Sequence, residues 1–296
     1  MISAVFAFFV QFQDVIPYKK AFKEASHFIE LGVVFVAITL FLGLLIAWIA
    51  SIGLTLLKYA NFTLRKGEED LIIQKGLLEK QQLTIPLDRI QGITIVENPF
   101  RQLLGYCSVH LESAGGTAGE KGGASVIVMP MVKKEKALNM LTELFPDYCF
   151  VIELKPAPKR AAGRYMVRSC LYAAIPIAAA VWIFWPFGLG ALTAFLPVAL
   201  YGYACYKAAG WNIQGGQLAI RSRILSLQTV FMQKSRIQSL ELIQTWRQNQ
   251  KDLASIHSVI RSGITGKKTK MSDASAADAE KIYLWYGIRK EEQVNK

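Results

Sequence analysis

Two stretches of the chain carry no charged side chain, and they set its plan. Leu31–Leu57 is a run of 27 residues between Glu30 and Lys58. As a helix it is long enough to cross a hydrocarbon layer about 30 Å thick with some tilt. The second run, Ser169–Tyr206, has 38 residues. One helix of that length would measure roughly 57 Å, nearly twice the layer, so the run is expected to fold back. Pro186-Phe187-Gly188, followed by Gly190, marks the turn. The predicted hairpin has arms Tyr165–Trp185 and Leu189–Tyr206, with kinks expected at Pro176 and Pro197. Trp182, Trp185, Tyr201, Tyr203 and Tyr206 suit the interfacial ends of membrane helices better than a buried soluble hairpin. Met1–Gln13 is also apolar, but about 20 Å of helix does not span. It lacks a basic n-region, so it reads as an interfacial segment, a packing segment or the remnant of a longer membrane helix.

Elsewhere the pattern changes to period two, and it does so twice. A shift of 147 residues lays Leu71 on Leu218, Ile73 on Ile220, Leu78 on Leu225, Gln81 on Gln228 and Arg89-Ile90-Gln91 on Arg236-Ile237-Gln238. Seven identities fall in the 23 positions from Leu71 to Ile93, where chance gives about one or two. Leu83/Val230, Ile93/Leu240, Ile95/Leu242 and Val96/Ile243 keep the apolar character. Each copy follows a membrane run, so the repeating unit is span plus domain. Gly67-Glu68-Glu69-Asp70 and Gly215-Gly216 mark hairpin turns, and Gly76 marks another. Alternation at Leu83, Ile85, Leu87 and at Ile93, Ile95 predicts a sheet with one buried face. Later strands are expected at Cys107–Ser113, Ser125–Met129 and Ile256–Ser262. Each copy ends in a predicted helix. The first carries Leu138, Leu141, Leu144 and Phe145 and stops at Pro146-Asp147. The second opens on a Ser275/Asp278 capping box, carries Ile282, Trp285 and Tyr286, and stops at Gly287. Six or seven short strands with one closing helix make a small curled sheet or barrel.

Composition agrees with this division. The chain has 296 residues, 52% hydrophobic and 19% charged, with a net charge of +12 and a mean hydropathy of +0.28. Disorder is excluded, and a purely soluble domain is disfavoured. The charge is local. Residues 58–150 carry eleven basic and eleven acidic side chains, 151–168 five and one, and 207–296 fifteen and seven. Lys58, Arg65, Lys66, Lys155, Lys159, Arg160, Arg164, Arg168, Lys207 and Arg221 flank one side of the spans, against Lys19, Lys20 and Lys23 on the other. The positive-inside bias therefore places both domains in the cytoplasm. Cys107, Cys149, Cys170 and Cys205 show no CxxC or metal spacing, which suits reduced thiols.

The order of motifs carries a resemblance. Gly76-Leu77-Leu78, Pro86-Leu87-Asp88-Arg89-Ile90-Gln91, Leu103-Leu104-Gly105-Tyr106 and Ser113-Ala114-Gly115 follow one another after a membrane helix. The second copy keeps Arg236-Ile237-Gln238 and Ser262-Gly263. It departs at Gln233-Lys234-Ser235 and lacks Leu-Leu-Gly. This resembles the bacterial pleckstrin-homology-like (PH-like) domain of membrane proteins of the YdbS/YdbT type, from about Ile29 onward. The resemblance implies an α+β membrane protein in which two PH-like domains, each a curled antiparallel sheet or barrel with a C-terminal helix, alternate with transmembrane helices. Longer members place a helix pair before each domain and often carry three, so this chain reads as a shortened form with Met1–Gln13 as a stub. The expected layout is an N-terminal segment (1–28), a span (29–57), domain 1 (58–150), a basic linker (151–168), a helical hairpin (165–206), domain 2 (207–290) and a tail (291–296).

Catalytic constellations are sparse. His110 and His257 fall in equivalent late strands, but neither has a second ligand at metal spacing. Gly115–Gly123 and Gly266-Lys267-Lys268-Thr269 do not fit a phosphate-binding loop and read as hairpin loops. No cofactor is implied. The expected function is a non-enzymatic scaffold or binding module in envelope maintenance. Its partners would be anionic membrane lipids or, by the resemblance, a smaller PH-like membrane protein in a hetero-oligomer. Nucleic acid is disfavoured for want of an RNA-binding motif. The candidate lipid or partner contacts are Arg65, Lys66, Arg89, Lys155, Lys159, Arg160, Arg164, Arg221, Arg223 and Arg236. For Arg89 and Arg236, a contact intrinsic to the fold competes with a ligand role. The alternative is a membrane-bound enzyme or transporter accessory subunit with a site at the domain–membrane junction, where Arg65, Arg89 or Glu112 would gather.

Overall fold

The computed structural model describes residues 32–114, 125–263 and 266–294. The expectations for the N-terminal segment and for the Gly115–Gly123 loop lie outside them. The chain forms two compact units, Met1–Phe62 with Lys75–Gln81, and Thr63–Gln74 with Gln82–Lys296.

The first unit is built on helix α1 (Val33–Tyr59). Its apolar length matches the first uncharged run. Thr39 and Thr55 donate their hydroxyls to carbonyls one turn back, which satisfies them without water. The backbone N–H groups of Gly76 and Leu77 bond Ala60 and Leu57, closing carbonyls that the helix end would leave free.

The second unit holds three antiparallel sheets. The first repeat supplies β1 (Thr63–Lys66), β2 (Asp70–Lys75) and β3 (Gln81–Pro86). There follow β4 (Ile90–Glu97), a short helix α2 (Pro99–Leu103), β5 (Tyr106–Ser113), β6 (Ser125–Lys133) and helix α3 (Lys134–Leu144). Alternate residues build its core. Leu71, Ile73, Cys107, Val109, Leu111 and Leu141 are fully or almost fully buried.

The basic linker carries regular elements. Lys155–Pro156 forms β7, and helix α4 (Ala162–Ile183) begins inside it. Helix α4 runs through Pro176 as one element. The second arm opens as a 3-10 helix, Phe187–Ala194, and only then becomes helix α5 (Phe195–Ala208). Pro197 therefore sits in the first turn of α5, where its missing N–H costs no bond. The arms touch at Gly202, where a Cβ would lie 2.8 Å from the Met166 backbone. Among the described residues, three helices are long and apolar enough to cross a membrane.

The second repeat follows with β8 (Gly210–Gln214), β9 (Gln217–Arg223), β10 (Leu227–Gln233), β11 (Ile237–Ile243), a short helix α6 (Trp246–Asn249), β12 (Leu253–Ile260), β13 (Lys267–Ser275) and helix α7 (Ala276–Val294). Gly287 does not end α7, because an interior glycine costs a helix only about 1 kcal/mol. The capping box forms at Thr245 and Gln248 instead of Ser275 and Asp278; Asp278 is engaged by Lys155. Trp211, Ile220, Met232, Ile256, Met271 and Ile282 share the core of this domain.

The two repeats are joined through one sheet. Its order is β6-β5-β4-β10-β9-β8-β7, flanked by separate sheets β1-β2-β3 and β11-β12-β13. At the joint β4 pairs antiparallel with β10, from Glu97 opposite Leu227 to Met232 opposite Gly92. Gly92 suits this close approach, since a Cβ would fall 2.6 Å from the Ile260 terminal methyl and 3.1 Å from the Phe231 carbonyl. Phe150 packs edge-on against Phe231, and Gln217 exchanges two hydrogen bonds with the Cys149 backbone. Independent domains on a tether would need none of these contacts.

A basic cavity at the charged end of the hairpin

The hairpin meets the second domain through a buried acid. Asp273 lies at an irregularity of the β12–β13 ladder, with φ of 56° and no exposure. Its carboxylate accepts from Arg164 Nε at 2.7 Å, from Gln248 at 2.9 Å and from Arg168 at 3.1 Å. The Tyr165 hydroxyl donates to the Ser272 carbonyl at 2.7 Å. Two arginines on one helix face thus hold α4 onto β13.

Above this clamp opens a cavity of about 430 Å³. Tyr165, Arg168, Ser169 and Tyr172 line it from α4, Tyr201 and Cys205 from α5, Ser222 and Arg223 from β9, and Lys267, Lys268, Thr269 and Lys270 from β13. Five lining residues are cationic and none is acidic. Lys267 is neutralised from behind by Glu112, and Arg168 shares Asp273. Arg223, Lys268 and Lys270 have no ion-pair partner among the described residues. Arg223 bonds the neutral Gln102 with one nitrogen, while its buried Nε has no partner. Thr269 is 5% exposed and its hydroxyl is likewise unpartnered. Both atoms are closed to water, so the cavity's polar character rests on its exposed ammonium groups and the outer guanidinium nitrogens of Arg223.

Of the ten cations singled out in the sequence, Arg223 alone lines this cavity. Lys155 reaches Asp278 at 2.5 Å, and Arg160 reaches Asp252 at 3.3 Å and Ser275 at 3.1 Å. With Arg164 and Arg168 on Asp273, four linker cations hold the second domain. Lys159 is exposed beside them. Arg221 caps α5 by donating to the Ala208 carbonyl, and Lys66 caps α3 at Leu144. Arg65 is exposed on β1. Arg89 and Arg236 end equivalent 3-10 turns, Leu87–Arg89 and Lys234–Arg236, immediately before β4 and β11. Arg236 lies near Tyr148, whose phenol burial pushes up to about 12. Neither Arg65 nor Arg89 bonds Glu112, which is held by Thr94, Ser125, Ser262 and Lys267.

Arg168 and the Lys267–Lys270 run are the cavity residues that sequence reasoning passed over. By sequence Gly266-Lys267-Lys268-Thr269 reads as a hairpin loop, whereas Lys267–Ser275 is a strand. Its signal was the basic alternation Lys268, Lys270, which puts two ammonium groups on one strand face. The four cysteines are free thiols, and burial raises Cys107 to about 11. Among the described residues no group of three or more His, Cys, Asp or Glu side chains is arranged to hold a metal ion.

Comparison with known proteins agrees with this architecture. The transmembrane protein YdbT of Bacillus subtilis (strain 168) is 36% identical over 292 residues, 98% of this chain and 59% of that protein. The chain thus spans about three-fifths of this relative. The bacterial PH domain model matches residues 26–146 and 164–290, once for each repeat. The chain belongs to the bacterial PH domain family, of which it carries two copies.

Proposed function

We propose that the chain is a non-enzymatic, multi-pass membrane module that binds anionic lipid headgroups in the basic cavity of its second domain. The observation that carries this reading is the cavity itself. Three cations without acidic partners line it beside helices apolar enough for a membrane. A guanidinium and two ammonium groups suit phosphate oxygens. Tyr172 and Tyr201, on the hairpin arms, offer apolar walls for the start of acyl chains.

The excess of Lys and Arg on the domain side of the spans supports cytoplasmic domains, facing the more anionic leaflet. In this reading the clamp at Asp273 orients the domain so that the cavity opens at headgroup depth. The linker cations are then structural, and Lys268, Lys270 and Arg223 meet the lipid.

The test is binding of short-chain phosphatidylglycerol and phosphatidylcholine to the full chain in neutral detergent. Phosphatidylglycerol should bind more tightly. Arg223→Gln/Lys268→Gln/Lys270→Gln should weaken it roughly a hundredfold at low salt, from about 1 kcal/mol per cation. Equal binding of both lipids would contradict the proposal. Glycerol phosphate serves as the arm without acyl chains; its binding as tightly as the lipid would point to a soluble anion instead.

A further inference from the structure

The joint between the repeats is made of non-equivalent strands. By the 147-residue shift, β10 corresponds to β3, and β4 corresponds to β11. The chain therefore pairs the β4 edge of one repeat with the β3-type edge of the next, head to tail. The complementary halves of the same joint stand at the ends of the other two sheets. β3 ends one and β11 ends the other, and among the described residues neither has a second neighbour.

Burial shows what each edge lacks. In the joined pair Ile95 is 3% exposed and Phe231 2%. Their counterparts are Leu242, 36% exposed, and Thr84, which is exposed. Ile243 is 40% exposed on the same edge. The geometry of the acceptor is already in place. The ladder of β11 shifts between Ile237 and Ser239, as that of β4 shifts between Ile90 and Gly92. These are equivalent positions.

We infer that β11 is a docking edge for β3 of a second copy of this chain. The register carried over from β4–β10 sets Gln82 opposite Leu242, Leu83 opposite Glu241 and Thr84 opposite Leu240. Pro86 falls outside this register, as its counterpart Gln233 falls outside the β4–β10 pairing. Pairing of β11 with itself is disfavoured, because Glu241 sits at the middle of the edge and would face its own copy. A head-to-tail contact of this kind builds rings or rows, and a row of such domains would lie along one membrane surface.

The experiment uses the full chain in liposomes, with Cys149→Ser and Cys170→Ser removing the two partly exposed thiols. One population carries Leu242→Cys and the other Gln82→Cys, with different tags. Mild oxidation of the mixture should join the two tags, because facing strand residues bring their Cβ atoms to about 5 Å. Each population alone should give little adduct. Absence of the mixed adduct, or an equally strong adduct from Leu242→Cys alone, overturns the inference. In parallel, Leu242→Lys should reduce the mass measured by light scattering in mild detergent without loss of circular dichroism. A wild-type chain that is monomeric in both detergent and liposomes also overturns it.

Discussion

Lys267 of the second repeat places its ammonium 2.6 Å from a carboxylate oxygen of Glu112 in the first. Glu112 has no exposure and also accepts from Thr94, Ser125 and Ser262. The pair crosses the joint beside β4 and β10, so it ties the register of the shared sheet to the wall of the cavity. Its removal is expected to act on both.

Lys267→Met should cost about 3 kcal/mol, because it strands a buried carboxylate without its counter-charge. Glu112→Gln in the same chain should restore about half of that loss. Denaturant titration in detergent checks both, and additive losses in the double variant would count against a coupled pair.

Asp273→Asn should loosen the hairpin from the second domain, since Arg164 and Arg168 lose their shared anion. Hydrogen exchange should quicken in β13 and the first turns of α4 while β5 stays protected. Uniform quickening across the chain would mean that Asp273 supports the whole fold rather than this contact.

Gly202→Leu should separate the hairpin arms, as even a Cβ would lie 2.8 Å from Met166 and 2.9 Å from the Ser169 hydroxyl. Overpacking of this kind typically costs 1–3 kcal/mol. A lowered unfolding temperature should accompany faster proteolysis near Pro186, whereas Gly190→Ala, with nothing near its added Cβ, should be silent.

Stability should fall as the pH drops below about 6.5. Burial, and then the Lys267 charge, lower the pKa of His110 from 6.5, against a smaller opposing effect of Glu112. His257 shifts the same way, chiefly through burial. In this window the unfolded chain binds more protons than the folded one, so stability is full above 6.5 and is lost toward the folded pKa values. Thermal unfolding at pH 7.5 and 5.5 should show the drop, and His110→Gln should shrink it.

Cys107 should resist alkylation at pH 8 in the folded chain, because burial holds its thiol near 11 and the thiolate is the reactive form. Mass spectrometry after a maleimide pulse should find it labelled far more slowly than Cys149, and equally fast labelling would contradict its burial.

Period-two stretches and the 147-residue shift made the repeated domains legible, because alternation and internal identity are local properties of a sequence. The exchange of edges was not legible: Gly92 and Met232 pair across 140 positions, and no periodicity records which edge a strand meets. The cavity was hidden for the same reason, being assembled from α4, α5, β9, β10 and β13. Arg160 and Arg164 illustrate a different limit. Beside a hydrophobic run they read as lipid-facing cations, but Asp252 and Asp273, about a hundred residues later, lie within reach of them in the fold. A count of charge along the chain carries no distance.

The central claim is that the cavity beside Arg223, Lys268 and Lys270 holds an anionic headgroup. Native mass spectrometry of the full chain, extracted from bacterial membranes in mild detergent, measures this most directly. The account predicts a retained lipid of anionic class, lost in Arg223→Gln/Lys268→Gln/Lys270→Gln and kept in Arg65→Gln/Lys159→Gln. Equal retention in both variants, or retention of zwitterionic lipid alone, would contradict it.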